Sequence, residues 1–338
     1  MNVTKLLTAW PIKGPCQTSS LRRGMNNRVW RVEAADGQIY VLRVLPDELA
    51  LPRVRYEAAL LHALSEKQLP FRLPLPLKAN SGDIIVPVEL ESGKNTIATL
   101  QAFLPGSTPD RHDSIKAAQA GEALAVLDTA LATLPELHAP EQPQLFSSFA
   151  DLTHCHPLVP DPLIAIERLP IERELSRRIC AYLSMVMARW DELHNRLPQQ
   201  LLHRDYDPSN ILMDASGVTA VLDFEFAGKD IRVLELCVAL SWWPVNLMGT
   251  GKEWKIIDAF GAAYVRSFPL SEAELRAIPD VLRLRAATSL VHRTGRYLAG
   301  LESDAVIVNK LEESLWREEW LSANQETLLQ HVLAWNAI

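Results

Sequence analysis

A short acidic segment in the second half of the chain carries the residue types that could do chemistry. It contains Asp205 and, five residues further on, Asn210, and the next residues, Ile211–Met213, have the pattern of a strand. A turn and a second strand-like segment then end at Asp223. Because antiparallel pairing places the start of one strand beside the end of its partner, we expect Asn210 and Asp223 to lie side by side and to face Asp205. Carboxylate and amide oxygens are ligands that Mg²⁺ prefers.

The spacing of these residues suits phosphoryl transfer. The segment follows the His-Arg-Asp-x-x-x-x-Asn pattern of the protein kinase catalytic loop. We expect Asp205 to accept the proton of an attacking hydroxyl, and Asn210 and Asp223 to bind the metal. Glu225 would contact the metal or the substrate, and His203 would be buried and hold the loop. The alternative is a solvated acidic turn before an ordinary hairpin, which the joint occurrence of loop pattern, hairpin and Asp-Phe-Glu disfavours.

The first half of the chain contains a cation and an acid that could serve the same chemistry. Arg43 lies in the middle of a strand-like segment, on the face of Ile39 and Val41. On the following helix Glu57 falls on an apolar stripe with Val54, Leu61 and Leu64. A buried carboxylate is costly unless it is paired, so Arg43 is its natural partner. A purely structural ion pair, or a Glu57 at the edge of the stripe, is the alternative.

The pattern of the chain changes from strands to helices near residue 104. Residues 1–104 hold the strand-like segments, with a hairpin turn at Asp36-Gly37 and one helix from Pro52 to about Lys67. Residues 105–338 are mostly helical, interrupted by a short strand-rich insert. The predicted segments are helices 114–134 and 171–196, the insert 201–226, and a loop over 139–170. A Thr-His-Cys-His run at residues 153–156 is interpreted as loop and not as a metal site.

Composition excludes several classes of function. The chain has 338 residues, 48% of them hydrophobic, and a formal net charge of −7. This mild acidic balance argues against general nucleic-acid binding and against a polybasic membrane anchor. The sequence shows no run of apolar residues long enough to cross a membrane, and its four cysteines show no zinc spacing. We therefore expect a cytoplasmic protein with a small-molecule substrate, and the sequence does not specify its oligomeric state.

With these residues identified, the chain resembles the aminoglycoside phosphotransferase/choline kinase superfamily, and within it the homoserine-kinase-like bacterial phosphotransferases. The resemblance covers roughly residues 20 to 300. It implies an α+β, bilobal, protein-kinase-like fold, with a small β-rich N-terminal lobe (1–104) that binds nucleotide and a larger helical C-terminal lobe (105–338) that holds the catalytic loop. It also implies ATP and Mg²⁺ as cofactors. The nucleotide would be held by Gly24, Asn26, Asn27, Arg43 and Glu57, and by Gln101 and Phe103 where the lobes join.

Three positions depart from the protein kinase pattern. Arg43 stands where protein kinases have Lys, and its fork can still hold phosphate oxygens. Glu225 replaces the Gly of Asp-Phe-Gly, and Arg204 stands where related small-molecule kinases have Gly. Arg204 would either narrow substrate access or brace the loop. No Ala-Pro-Glu segment follows, which favours a small substrate over a peptide, and Asp230 and Glu235 are predicted to brace the next helix.

The resemblance leaves three functions open. The leading one is a kinase of homoserine or a related amino alcohol. The alternatives are an aminoglycoside kinase, for which the terminal helices offer no acid-dense segment, and a pseudokinase-like nucleotide-binding module. Several residues of the later helices could line the acceptor pocket: Trp242, Trp243, His292, Arg293 and Arg296. His292 and Arg296 share a helix face and would either receive a substrate carboxylate or form part of a surface salt-bridge stripe, and the stripe is the interpretation that we favour.

Overall fold

The computed structural model describes residues 2–21, 28–45, 50–90, 93, 95–135, 148 and 151–337. Gly24, Asn26 and Asn27 lie outside these ranges. The strands are β1 (Cys16–Leu21), β2 (Arg28–Ala34), β3 (Ile39–Val44), β4 (Val86–Glu89), β5 (Asn95–Ala102), β6 (Gln199–Leu202), β7 (Ile211–Met213), β8 (Val218–Val221) and β9 (Gly228–Ile231). The helices are α1 (Val3–Leu7), α2 (Leu51–Ser65), α3 (Ser114–Ala132), α4 (Pro162–Glu167), α5 (Arg173–Arg196), α6 (Val233–Trp242), α7 (Glu253–Ser267), α8 (Glu272–Leu298) and α9 (Asp304–Ala334).

The first five strands form one antiparallel sheet in the order β1-β2-β3-β5-β4. The predicted hairpin joins β2 to β3, and its turn includes Gly37 at φ 82°, a conformation that glycine adopts without strain. Alternate residues of β3 face the core, where Leu42 and Val44 are buried. Arg43 therefore points to the other face of the sheet, the face toward Glu57 of α2.

Helix α2 has the predicted stripe. Its apolar members Val54, Leu61 and Leu64 are buried, and Glu57 among them is only 4% exposed. Pro52 lies in the first turn, where its missing N–H costs nothing, and the helix ends at Ser65, two residues before the predicted end. The helix thus carries one carboxylate toward the sheet.

The helical part of the chain is built on close packing of α3 against α7. At their crossing Gly121 lies so near the backbone that a Cβ there would be 2.3 Å from the carbonyl oxygen of Phe260. Around this crossing the buried residues of α3 and α5 to α9 form one continuous apolar core. Two small antiparallel pairs, β6 with β9 and β7 with β8, lie within this part. The boundary between residues 104 and 105 stays a prediction.

The loop expected over 139–170 is wrong in part. Of its described residues, Pro162–Glu167 form helix α4. The sequence signal for it was Asp161 before Pro162: the Asp161 carboxylate accepts hydrogen bonds from the backbone N–H groups of Leu163 and Ile164, both at 3.0 Å. In the Thr-His-Cys-His run, the His154 ring bonds Asp151, and no group of metal-binding residues occurs within the described ranges.

Candidate active site

The catalytic loop and the hairpin after it have the predicted arrangement. Strands β7 and β8 pair antiparallel with Ile211 opposite Val221, and the backbone N–H of Leu222 donates to the carbonyl of Asn210 at 2.8 Å. Asn210 therefore lies beside the residue that precedes Asp223. The turn of the hairpin spans residues 214–217, so chain segments 13 residues apart meet through strand pairing alone.

Asp205 and Asn210 are in direct contact. The Asn210 amide donates from Nδ2 to the Asp205 carboxylate and to its backbone carbonyl, both at 2.9 Å. This leaves the amide oxygen of Asn210 for another ligand. Burial raises the pKa of Asp205 well above its usual value, and Asp207 raises it further. A carboxylate with a raised pKa, held in place by an amide, is suited to receive a proton.

His203 holds the loop from beneath. Its ring is fully buried, and its Nε2–H donates to the carbonyl of Leu222 at 2.9 Å while Nδ1 accepts from the N–H of Asp205 at 3.2 Å. Burial lowers the pKa of His203 to about 4, so the ring is neutral at pH 7. The ring also packs edge-to-face on Phe224 at 4.5 Å. His203 is therefore buried and holds the loop, as the sequence predicts, and it also links this loop to the Asp-Phe-Glu segment.

Asp223 has the features of a metal-binding carboxylate. Its φ is 62°, a left-handed conformation that is strained for a residue other than glycine. Its Oδ1 is buried and has no hydrogen-bond partner among the residues that the structure describes. Burial and then the nearby Glu225 carboxylate raise the pKa of Asp223. An orphaned carboxylate oxygen near a second carboxylate and the Asn210 amide oxygen is an oxygen donor set that fits Mg²⁺ or Ca²⁺.

Arg43 and Glu57 form the predicted ion pair. Arg43 Nη1 lies 2.9 Å from Glu57 Oε1, and Arg43 Nη2 lies 3.7 Å from Glu225 Oε2. The Glu57 carboxylate is the main group that raises the pKa of Arg43, against the effect of burial. Arg53 also donates to the backbone carbonyl of Glu225. Glu225 thus joins the pair, a contact that sequence reasoning did not specify.

Arg204 braces the loop and does not line a substrate path. It is fully buried at φ 63°, its Nε donates to the carbonyl of Phe226 at 2.7 Å, and its Nη1 lies 3.4 Å from Asp230. Its backbone N–H donates to Glu235 at 2.8 Å. A Cβ at Gly228 would be 2.2 Å from the guanidinium, so this close packing requires glycine. Asp230 and Glu235, which were predicted to brace the next helix, are seen here to hold Arg204 of the loop.

Comparison with known proteins now identifies the family. The model of the APH phosphotransferase enzyme family matches residues 18–264. The chain belongs to this family. The homoserine kinase of Phenylobacterium zucineum is 26% identical over 282 residues, 82% of this chain and 79% of that protein. The homoserine kinase of Cupriavidus taiwanensis is 27% identical over 270 residues, which are 78% of this chain and 75% of that protein.

Solved structures show the same fold. A microcompartment-associated aminopropanol kinase has a TM-score of 0.71 at 17% identity, with 96% of this chain and 97% of that one covered. An amicoumacin kinase in complex with AMP-PNP, Ca²⁺ and Ami has a TM-score of 0.66 at 15% identity, with 92% of this chain and 91% of that one covered. The chain is therefore an α+β phosphotransferase with the kinase-like fold, as predicted. Within the described part of the chain, no helix is long and apolar enough to cross a membrane.

Gln101 and Phe103 of this phosphotransferase lie at the end of the sheet. Gln101 is in β5, opposite Val41 of β3. Phe103 follows the strand, is 37% exposed, and donates its N–H to the carbonyl of Ile39 at 2.9 Å. Their contact with nucleotide stays a prediction, as it does for Gly24, Asn26 and Asn27.

The arginines of the cationic face predicted on α8 are already paired with a carboxylate. Arg296 Nε lies 2.7 Å from Glu302, and Arg293 forms an ion pair with the same carboxylate. Burial, and then the neighbouring His156, lower the pKa of His292 to about 4, so this ring carries no charge at pH 7. Arg296 therefore forms a salt bridge, at a buried rather than a surface position, and His292 takes part in no ion pair among the described residues. Trp243 is fully buried and belongs to the core rather than to a pocket wall.

Sequence reasoning missed Arg285. This residue of α8 is 9% exposed, and its Nε is buried without a hydrogen-bond partner among the described residues. It is the charged neighbour that opposes the rise of the Asp205 pKa. The available signal was an arginine within the apolar helical stretch Leu284–Val291, where a charge needs a partner.

Proposed function

We propose that this phosphotransferase transfers the γ-phosphate of ATP, with Mg²⁺, to the hydroxyl of a small molecule, and that homoserine or a related amino alcohol is the acceptor. The observation that carries the proposal is the convergence of Asp205, Asn210 and Asp223 at one hairpin. Residues 1–104 would bind the nucleotide, and residues 105–338 would supply the catalytic loop and the acceptor pocket.

The residues of the site fit the steps of this reaction. The acceptor oxygen forms a bond to the γ-phosphorus, the bond to the β–γ bridging oxygen breaks, and ADP leaves. Asp205 accepts the hydroxyl proton, with Asn210 fixing its carboxylate. Arg43, oriented by Glu57, binds phosphate oxygens through its planar fork.

The metal would be held by Asp223 and the amide oxygen of Asn210, with Glu225 close by. When bound, a divalent cation neutralises phosphate charge during transfer. The crowding of Asp223 and Glu225 supports this assignment, because two nearby carboxylates both ionise readily only beside a cation.

The choice of acceptor follows from relatives and from charge. The curated relatives cited above are homoserine kinases, and the fold neighbour with the TM-score of 0.71 is an aminopropanol kinase. An aminoglycoside kinase is the second candidate, because one such phosphotransferase has a TM-score of 0.61 with this chain. Aminoglycosides are polycations, and the buried Arg285 near Asp205 disfavours them.

A coupled ADP-release assay tests the proposal. A panel of amino acids, amino alcohols, sugars and aminoglycosides is presented with ATP and Mg²⁺, and we expect turnover with homoserine or an amino alcohol. Asp205→Asn should lower kcat by about 10²–10⁴-fold, since it removes the proton acceptor. The matched control is Asp191→Asn, an exposed carboxylate of α5, which should not change kcat. Full turnover by Asp205→Asn would refute the assigned role.

A further inference from the structure

Helix α8 carries two buried arginines with opposite surroundings. Arg283 has its partners: its Nε lies 2.7 Å from Glu318, and its Nη1 donates to Gln325 at 3.0 Å. Arg285, two residues later, is equally buried, yet it takes part in no ion pair of the described residues and its Nε has no acceptor. A buried N–H donor without an acceptor is costly, and a ligand that supplies an acceptor to Nε would remove that cost.

Two further cations of α9 lie near Arg285. Lys310 Nζ is 3.1 Å from Glu313, and Arg317 Nη2 is 2.8 Å from the same carboxylate. Burial lowers the pKa of Lys310 to about 8, and the charges of Arg317 and Arg285 contribute to that shift. We call Arg285, Lys310, Arg317 and Glu313 the basic cluster. It holds three cationic side chains and one carboxylate, so it has an excess of positive charge.

Arg285 of the basic cluster lies near the catalytic loop. Arg285 interacts electrostatically with both Asp205 and Asp207, but it forms an ion pair with neither. The carboxylates have other partners, Asn210 for Asp205 and Ser209 for Asp207. The Arg285 guanidinium is therefore near Asp205 but forms no ion pair with it. A second anchoring point for the substrate, beside the residue that receives its proton, requires this placement.

We propose that Arg285, supported by Lys310 and Arg317, binds a carboxylate of the acceptor while Asp205 receives the proton of its hydroxyl. The inference rests on the proposed function and makes it more specific: the acceptor class is a hydroxy acid, with or without an amino group, rather than an uncharged or purely cationic alcohol. A guanidinium presents two parallel N–H donors that match a carboxylate, which gives both affinity and orientation.

The first test compares acceptors that lack either the carboxylate or the amino group of homoserine. L-homoserine, 4-hydroxybutanoate and 3-aminopropan-1-ol are assayed for kcat/KM with the unaltered enzyme. We expect both hydroxy acids to exceed 3-aminopropan-1-ol by about 10–100-fold, the value of one charge-assisted bidentate contact. Turnover of 3-aminopropan-1-ol at the same or a higher kcat/KM would overturn the inference and leave the proposed phosphotransfer standing.

The second test removes the guanidinium. Arg285→Met should raise KM for L-homoserine about 10–100-fold and abolish the preference over 3-aminopropan-1-ol, and Arg285→Lys should restore part of it. The matched control is Arg276→Met, an exposed arginine of the same helix paired with Glu272, which should preserve the preference. A rise in the KM for ATP in place of the KM for homoserine would assign Arg285 to nucleotide phosphate and contradict the inference.

Direct binding separates this inference from the proposed function. L-2-aminobutanoate is homoserine without the hydroxyl, and 1-aminopropane lacks the carboxylate as well. By calorimetry we expect L-2-aminobutanoate alone to bind the unaltered enzyme, and Arg285→Met to lose that binding. If none of the alcohols is phosphorylated but this binding pattern is observed, the acceptor assignment fails and the carboxylate site holds. If neither amine binds, or both bind equally, the carboxylate site is refuted whatever the turnover.

Discussion

Two clusters of buried charge flank the catalytic loop, and their charge imbalances are opposite. The acidic cluster, toward the sheet, has one cation among three carboxylates: Arg43, Glu57, Asp223 and Glu225. The basic cluster, between α8 and α9, has one carboxylate, Glu313, among three cations. Because unbalanced buried charge is costly, each cluster is suited to a ligand of the opposite sign. We propose that a metal cation binds on one side of Asp205 and an anionic group of the acceptor on the other.

A third buried cluster shows what a purely structural network looks like. Arg204, Asp230 and Glu235 are all fully buried, but their donors and acceptors meet one another and the backbone of the loop. In the two flanking clusters, Oδ1 of Asp223 and Nε of Arg285 have no hydrogen-bond partner among the described residues.

The largest expected effect comes from breaking the acidic cluster at Asp223. Asp223→Asn keeps the size of the side chain but removes the charge that would hold the metal. We expect kcat to fall on the order of 10³-fold and the Mg²⁺ concentration for half-maximal activity to rise, measured by titrating Mg²⁺ in the ADP-release assay. Asp214→Asn, at the exposed turn of the same hairpin, is the control. An unchanged Mg²⁺ requirement would remove Asp223 from the metal site.

The loop between the two clusters should lose stability in acid through His203. The folded protein holds the pKa of His203 at about 4, below its usual value of 6.5, so the unfolded chain takes up the proton first as the pH falls. The stability that neutral His203 contributes is fully present above pH 6.5 and is lost between pH 6.5 and 4, about 3 kcal/mol in all.

Urea unfolding at several pH values between 7 and 4 measures this dependence. His203→Asn should flatten the acid limb, whereas His62→Asn, at an exposed position of α2, should leave it as it is. Equal slopes for the His203 variant and the unaltered protein would show that the loop is held in another way. Buried His292, whose pKa is also lowered to about 4, adds a contribution of the same sign and is common to all three proteins.

A smaller effect is expected at the ion pair of the acidic cluster. Glu57→Gln removes the closest carboxylate of Arg43 and leaves Glu225 at 3.7 Å as the remaining one. The guanidinium should lose part of its orientation, and we expect the KM for ATP to rise about tenfold with little change in kcat. Glu66→Gln, exposed at the end of the same helix, is the control. A kcat that falls with an unchanged KM would contradict a role in nucleotide binding.

The smallest expected effect distinguishes a paired cation from an unpaired one inside the basic cluster. Lys310 already has Glu313 as its partner, so Lys310→Met should weaken the binding of L-2-aminobutanoate only about threefold, less than Arg285→Met. Calorimetry on the two variants measures the difference. A loss at Lys310 as large as that at Arg285 would mean that the carboxylate binds at the lysine.

Much of the site could be predicted because its parts obey local rules. Strand pairing with a short turn requires Asn210 and Asp223 to meet, and helical periodicity puts Glu57 on the buried stripe that faces Arg43. Arg43 and Glu57 form the expected pair, and Asn210 lies opposite Leu222, the residue before Asp223. The short helix α4 was missed although its signal, Asp161 before Pro162, is also local.

What sequence reasoning could not reach was the pairing of charges between distant helices. Arg293, Arg296 and Arg285 all lie within twelve residues of one helix, and nothing in their spacing tells which has a partner. The turn after α8 brings Glu302 back to the first two. Arg285, by contrast, lies near the catalytic loop and near Lys310 of α9.

By itself, the amino-acid sequence determined the order of reactive residues and the local elements that carry them, since turns, strand alternation and helix periodicity act over a few residues. Only the tertiary structure decided which buried charged groups have partners within the described part of the protein and which do not. That balance depends on the packing of α8 and α9 against a loop about eighty to a hundred residues earlier in the chain. Free energies of ion pairing depend on distance and burial, and both are properties of the packed fold.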